Sequence, residues 1–397
     1  MNAIDRFIEY AKINTQSDDK SETSPSTKCQ LDLSTLLVKQ LKELGLKDAI
    51  LDEFGVVYAH LPGEGEKIGL NAHVDTALEV TDIGVNPRII NNYNGEDIIL
   101  NDKYTLSMTH FPSLKNHLCH DLVVTDGNTL LGADDKAGIA IIMGALSYLK
   151  EHPEIKHHNI SVSFTPDEEI GRGTAHFDLK KMDADYAYTL DGSAPNGVDY
   201  QNFNAQAVVL NVEGVSVHPG EGKGKLINAL LLINEFINAL PKHDNPYHSD
   251  FNEGYWHIND IYGNSEKATA EFILRDFDKK KLDKRASIMR NVIAKLTKKY
   301  PHCHFDLNIR DQYENMEPFV KKDPRPLIKA DEAIKKNGLT PVHTHIRGGT
   351  DGATMSKMGL VTPNLGTGSY NHHGRFEYLD IQEFNKLIDI VIDIVKI

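Results

Sequence analysis

The sequence predicts an α/β protein: a mainly parallel mixed sheet with flanking helices, into which a smaller α+β unit is inserted. Short apolar runs bounded by turn residues alternate with amphipathic helical stretches as far as Leu190. The texture changes from about residue 206, where longer strand-like runs and two polar-faced helices follow one another, and the first pattern then returns near the C-terminus. At 397 residues the chain is also longer than one hydrophobic core usually grows.

Each element has its own signal. Ile4, Phe7, Ile8 and Ala11 recur at helical spacing, and early acids set this stretch apart from a basic, then apolar, signal peptide. After the polar segment 17–28, Leu31, Leu33, Leu36, Leu37, Leu41 and Leu44 mark a second amphipathic helix that stops at Gly45. VVYAHL (56–61), KIGLNA (67–72), NISVSFT (159–165) and ADYAYTL (184–190) read as strands, and Ala137 to Leu149 reads as a helix between them. The later region offers strands AVVLNVEGV and ATAEFILRDF, with helices near 224–240 and 279–299. THIRGG, VTPNLGTG and the closing helix FNKLIDIVIDIVKI then complete the first unit. The expected division is 1–206 with 308–397, and an insertion over 207–307.

Composition excludes several classes. No window approaches the roughly 20 apolar residues of a membrane span. A net charge of -14, without a basic aromatic stripe, argues against a nucleic acid partner. Cys29, Cys119 and Cys303 are few, scattered and free of any CxxC, which fits reduced thiols in a cytoplasmic protein.

The chemistry lies where the strands stop. NAHVDT follows KIGLNA, PDEEIG follows NISVSFT, LDGS follows DYAYTL and NHHG comes shortly after VTPNLGTG, while GADDKAG opens the helix at 137. The carboxyl ends of parallel strands form the functional edge of such a sheet. His, Asp and Glu without Cys suit zinc or a similar divalent ion, and two ions 3.5–4 Å apart need a bridging carboxylate, for which Asp134 is the candidate. His73 and Asp75 are two apart and share a strand face, so His73 can bind metal while Asp75 orients its ring or caps the next segment. Glu168 and Glu169, adjacent in an extended run, should point oppositely and divide two roles, one as ligand and one as general base.

Taken in order, HVDT, TDGNTLLGADDKAGIA, FTPDEEIGRG, QNFNA, VHPG, RDFD, RGGTDGA and NHHG closely resemble the dizinc exopeptidases related to carboxypeptidase G and succinyl-diaminopimelate desuccinylase, from the first helix to the last. IRGGTDGA with the long TLLGADDKAG run points to the peptidase T branch of that family. The resemblance implies two zinc ions held by His73, Asp134, Glu169, Asp191 and His373, with Asp134 as the bridge. It assigns Glu168 as the general base and Asp75 as the residue that positions His73. His373 is favoured over His372 because it immediately precedes Gly374. His218 corresponds to a residue that steadies the oxyanion, often from the neighbouring subunit of a dimer, which makes the insertion a lid and dimerisation domain.

Arg347 and Arg275 are cationic forks able to hold a peptide carboxylate. Asn228 is a further substrate contact, and Asp199 a candidate for the free amine. The implied activity is that of a tripeptide aminopeptidase acting on short peptides as a cytoplasmic homodimer. The alternatives on the same scaffold are a dipeptidase, a carboxypeptidase and an N-acyl-amino-acid deacylase.

Overall fold

Four strands, Asn159–Thr165, Lys67–His73, Tyr186–Gly192 and Asn364–Gly366, lie side by side and parallel in the computed structural model, which describes residues 1–397. Their apolar side chains, among them Leu70, Ala72, Val162, Phe164, Tyr188 and Leu190, are almost fully buried, as strands covered on both faces by helices require. Antiparallel strands Val57–Leu61 and Ile50–Leu51 extend one edge, and Gly197–Asn202 and Val342–Ile346 extend the other, giving an eight-stranded mixed sheet. Strand Lys67–His73 is flanked by two strands that come later in the chain, so the connectivity reverses beside it. Such a switch point leaves a crevice at the strand ends, and His73 is the last residue of this strand.

Helix Ala133–Glu151 packs on this sheet beneath helices Ala3–Ala11 and Ile381–Val395. Its Ile139, Ile141, Ile142, Met143 and Leu146 are buried with Phe7, Tyr10, Leu387, Ile390 and Ile394, each such side chain contributing roughly 1.5–3 kcal/mol. The second helix runs Gln30–Leu44 and ends at Gly45, whose φ of 105° lets its N–H return to the Leu41 and Lys42 carbonyls. No helix is long and apolar enough to cross a membrane.

Contacts divide the chain into two units. The first holds Met1–Tyr200, Met316–His345 and Thr350–Ile397, and the second holds Gln201–Asn315 with Ile346–Gly349. The second unit is a four-stranded antiparallel sheet, ordered Tyr255–Gly263, Lys267–Asp276, Asn204–Glu213, His304–Tyr313. One face of it is buried under helices Ala229–Asn238 and Lys279–Lys299, through Val208, Leu210, Phe272, Phe236 and Met289. Its first strand in the chain starts before residue 207 and its last runs past residue 307. The first of its helices starts only at Ala229, because Asn228 caps it after the loop that holds the short turn Pro219–Glu221.

A small antiparallel sheet in the first unit, ordered Ser369–Tyr370, Tyr378–Asp380, Leu122–Val124, Arg88–Ile90, was not anticipated. Strands of two or three residues carry no readable alternation. This sheet nevertheless matters, because its Ser369–Tyr370 and Tyr378–Asp380 strands pair as the hairpin whose connection begins with NHHG.

Candidate metal centre

His73, Asp134, Glu169, Asp191 and His373 converge, and they do so as two overlapping groups. His73, Asp134 and Asp191 form one and Asp134, Glu169 and His373 the other, with the donor atoms of each group within 4.8 Å of one another. Asp134 belongs to both. Its Oδ1 lies 3.0 Å from His73 Nε2 and its Oδ2 lies 3.3 Å from His373 Nε2, so its two oxygens face opposite groups. His73 Nε2 is also 3.6 Å from Asp191 Oδ1, and His373 Nε2 is 3.1 Å from Glu169 Oε2.

The backbone explains the convergence. His73, Glu168–Glu169 and Asp191 stand at or just beyond the C-ends of three neighbouring parallel strands, and His373 sits in the hairpin connection with a left-handed φ of 60°. Asp134 opens the long helix, where Gly132 at φ 73° turns the chain in.

Asp75 does more than orient a ring. The His73 Nδ1–H faces the Asp75 backbone carbonyl at 3.1 Å and its carboxylate Oδ1 at 3.3 Å, which leaves Nε2 free for a metal. The same carboxylate accepts the backbone N–H groups of Glu168 (2.9 Å) and Glu169 (3.1 Å), so one fully buried acid fixes both the imidazole and the two glutamates. These glutamates are not in an extended run. Asp167 adopts φ 60° and Glu168–Ile170 forms a 3-10 turn, because Asp167 is pinned by the Ser26 N–H and the Gln30 side-chain amide. The two side chains still part: Glu169 reaches His373, while the Glu168 carboxylate accepts no hydrogen bond from the protein.

Two supporting acids escaped the sequence reading. Glu377, buried, accepts the N–H groups of Leu131, Gly132 and Asp134 at 2.8–2.9 Å, and thereby holds the loop that presents Asp134. Asp135 accepts the His73 backbone N–H at 3.1 Å and the Gly138 N–H at 3.2 Å. The doubled acid in GADDKAG was the one available signal. His372 stands aside, its Nδ1 3.6 Å from Asp134 and its Nε2 bonded to Ser369 Oγ at 2.8 Å.

The electrostatics describe a pocket short of positive charge. Burial, and then the Asp134 charge, pushes Glu169 up to about 8 and Asp191 up to about 6. Burial also pushes the Glu168 carboxyl well up, with Asp191, Asp351 and Glu169 adding repulsion that His73 only partly offsets. Against its own burial, Asp134 is held well below the ordinary range by hydrogen bonds from His373 and His73. Glu169 Oε1 is buried without any hydrogen-bond partner. A buried acceptor left bare inside a His and carboxylate donor set is what divalent cations would satisfy, so the residues fit such ions.

The other candidates lie in the second unit. His218 is exposed, its Nδ1 accepting the Gly220 N–H at 3.2 Å. Asn228 spends its side-chain oxygen on the Leu230 N–H. Arg275 bonds the Leu274 carbonyl and Gln312 Oε1, both at 3.0 Å, and lies over the Tyr313 ring. Arg347 bonds the Phe251 and Glu253 carbonyls and Ser249 Oγ, lies over Phe203 and Tyr255, and pairs with no carboxylate. In the first unit, half-buried Asp199 is already bonded by Thr344 and Asn364.

Peptidase T of Desulfitobacterium hafniense is 45% identical over 402 residues, covering 100% of this chain and 98% of its own length. Aminopeptidase PepT from Bacillus cereus superposes with a TM-score of 0.78 at 21% identity, over 99% of this chain and 97% of that one. A tripeptidase from Staphylococcus aureus gives 0.79 at 20%, with the same coverage. The pattern of peptidase family M20/M25/M40 matches residues 122–397, and the chain belongs to that family.

Proposed function

We propose that this chain is a metal-dependent tripeptide aminopeptidase that releases the N-terminal residue of short peptides. Identity of 45% with a Peptidase T over the whole chain supports the activity. The observation that carries the chemistry is Asp134, shared by two donor groups. His73 and Asp191 would hold one zinc ion, Glu169 and His373 the other, and Asp134 both. When bound there, the ions supply a polarised scissile carbonyl and a water acidified toward a pKa of about 7.

The remaining work belongs to side chains. Glu168, the one carboxylate of the centre with no protein hydrogen bond and no share in either donor group, takes the water proton and returns it to the leaving amine. Asp75 keeps the His73 Nε2 turned to the metal. His218, with an exposed ring, donates to the carbonyl oxygen as charge develops, across a homodimer as the family resemblance implies. Arg347 receives the peptide carboxylate, supported by its lack of an acidic partner, and Arg275 and Asn228 are the further candidate substrate contacts. A cytoplasmic setting accords with the free Cys29, Cys119 and Cys303.

A substrate panel tests the activity. Free-amine tripeptides are cleaved at the first bond, whereas N-blocked tripeptides and N-acyl amino acids are not, and chelation abolishes turnover until zinc is returned. Release of the C-terminal residue, or preference for N-acyl amino acids, would replace this reading with a carboxypeptidase or a deacylase. Asp75→Ala weakens zinc affinity by roughly 10–100-fold, measured by competition with a chromogenic chelator. Wild-type affinity would remove Asp75 from its positioning role.

A further inference from the structure

A second cluster of metal-ligating side chains lies in the first unit and shares no residue with the centre described above. His117 ends the 3-10 helix Pro112–His117, and His120 follows three residues on, after Cys119 reverses the chain at φ 65°. The turn is pinned on both sides, by Cys119 N–H to the Tyr93 carbonyl and Tyr93 N–H to the His120 carbonyl, each 2.7 Å. Both imidazoles aim the same nitrogen at one atom: His117 Nδ1 is 2.8 Å and His120 Nδ1 is 2.6 Å from Asp380 Oδ2. The donor atoms of His117, His120 and Asp380 all lie within 4.8 Å of one another, and Glu383 stands beside this group with its Oε1 3.8 Å from His117 Nδ1.

Each carboxylate keeps its other oxygen in a supporting bond. Asp380 Oδ1 caps helix Ile381–Val395 through the Glu383 N–H at 2.9 Å, and Glu383 Oε2 accepts the Tyr370 hydroxyl at 2.6 Å. The oxygens left over are those that face the imidazoles. Asp380 is fully buried and His117 is 1% exposed, yet no lysine or arginine pairs with either acid. Two acids in this setting need positive charge, which comes from protonated imidazoles or from a bound cation that replaces their protons. Donors at zinc distances of 2.0–2.2 Å from one ion stand about 3.3 Å apart, and three separations here, 2.6, 2.8 and 3.8 Å, straddle that value.

We propose that His117, His120 and Asp380, with Glu383 turning in as the fourth ligand, form a closed, structural zinc-class site that ties the 112–121 loop to the N-terminus of the last helix. Donors that are all protein atoms and include two imidazoles suit a tetrahedral borderline ion rather than calcium or magnesium. On binding, each Nδ1–H gives up its proton or moves it to Nε2, and the nitrogen lone pair turns to the ion. Asp380 also ends the hairpin that carries His372 and His373, so the site steadies the base of the connection holding one candidate ligand of the other centre.

The test is a zinc count. Metal-stripped protein is loaded with zinc alone, passed through metal-free buffer and assayed for zinc per chain, in wild type, His120→Gln and Asp380→Asn. The expected result is one ion fewer in each variant, with tripeptide turnover retained. The difference is read whatever the occupancy of the dinuclear centre, so failure of that reading and failure of this one are distinguishable. His120 is partly exposed and tolerates replacement, while asparagine at 380 preserves the helix cap. Equal counts in wild type and variants overturn the site.

Discussion

Glu168→Gln lowers kcat on a free-amine tripeptide by roughly 10²–10⁴-fold, the range a positioned general base contributes, while bound zinc stays at the wild-type count. The substitution isolates proton transfer. Glutamine keeps the size of the side chain, and the backbone N–H that Asp75 accepts at 2.9 Å is untouched, so the turn over Glu168–Ile170 has no reason to move. Neither of the two donor groups includes Glu168, so the ligand count does not change. KM moves little, since a base acting on water contributes mainly to the transition state. Steady-state kinetics with metal analysis on the same sample read both quantities. A variant that loses zinc with its activity would show Glu168 to be a ligand, and one with normal turnover would remove it from the mechanism.

How far the sequence could be read depended on periodicity. Strand Asn159–Thr165 and helix Lys279–Lys299 agree with the expected ranges, because seven alternating and twenty-one helically spaced residues leave little ambiguity. The strand ends were legible for the same reason, and with them His73, Glu168, Glu169 and Asp191. What escaped were features set by tertiary hydrogen bonds. The turn at Glu168 exists because Ser26 and Gln30, over a hundred residues away, hold Asp167 in a left-handed conformation. The second duty of Asp75, the loop-clamping role of Glu377 and the use of Asn228 as a helix cap depend likewise on partners that spacing does not reveal. His117 and His120 stood in the sequence as unremarked residues, because their shared acid lies at position 380.

Removing the bridge has a different signature from removing the base. In Asp134→Ala both carboxylate oxygens and the charge are removed, while the backbone N–H that Glu377 accepts stays in place. Both donor groups lose their common member at once, leaving His73 with Asp191 on one side and Glu169 with His373 on the other. Two protein ligands seldom retain a divalent ion through exchange against a chelator, so the variant carries two ions fewer than wild type. The His117 site, which shares none of these residues, keeps its own. Loss of several kcal/mol of transition-state stabilisation lowers kcat by about 10³-fold or more, and added zinc does not rescue it. His373→Ala is the control, since its ring serves only the second group and its loss costs one ion rather than two. If Asp134→Ala also lost only one ion, Asp134 would serve one group alone and would bridge nothing.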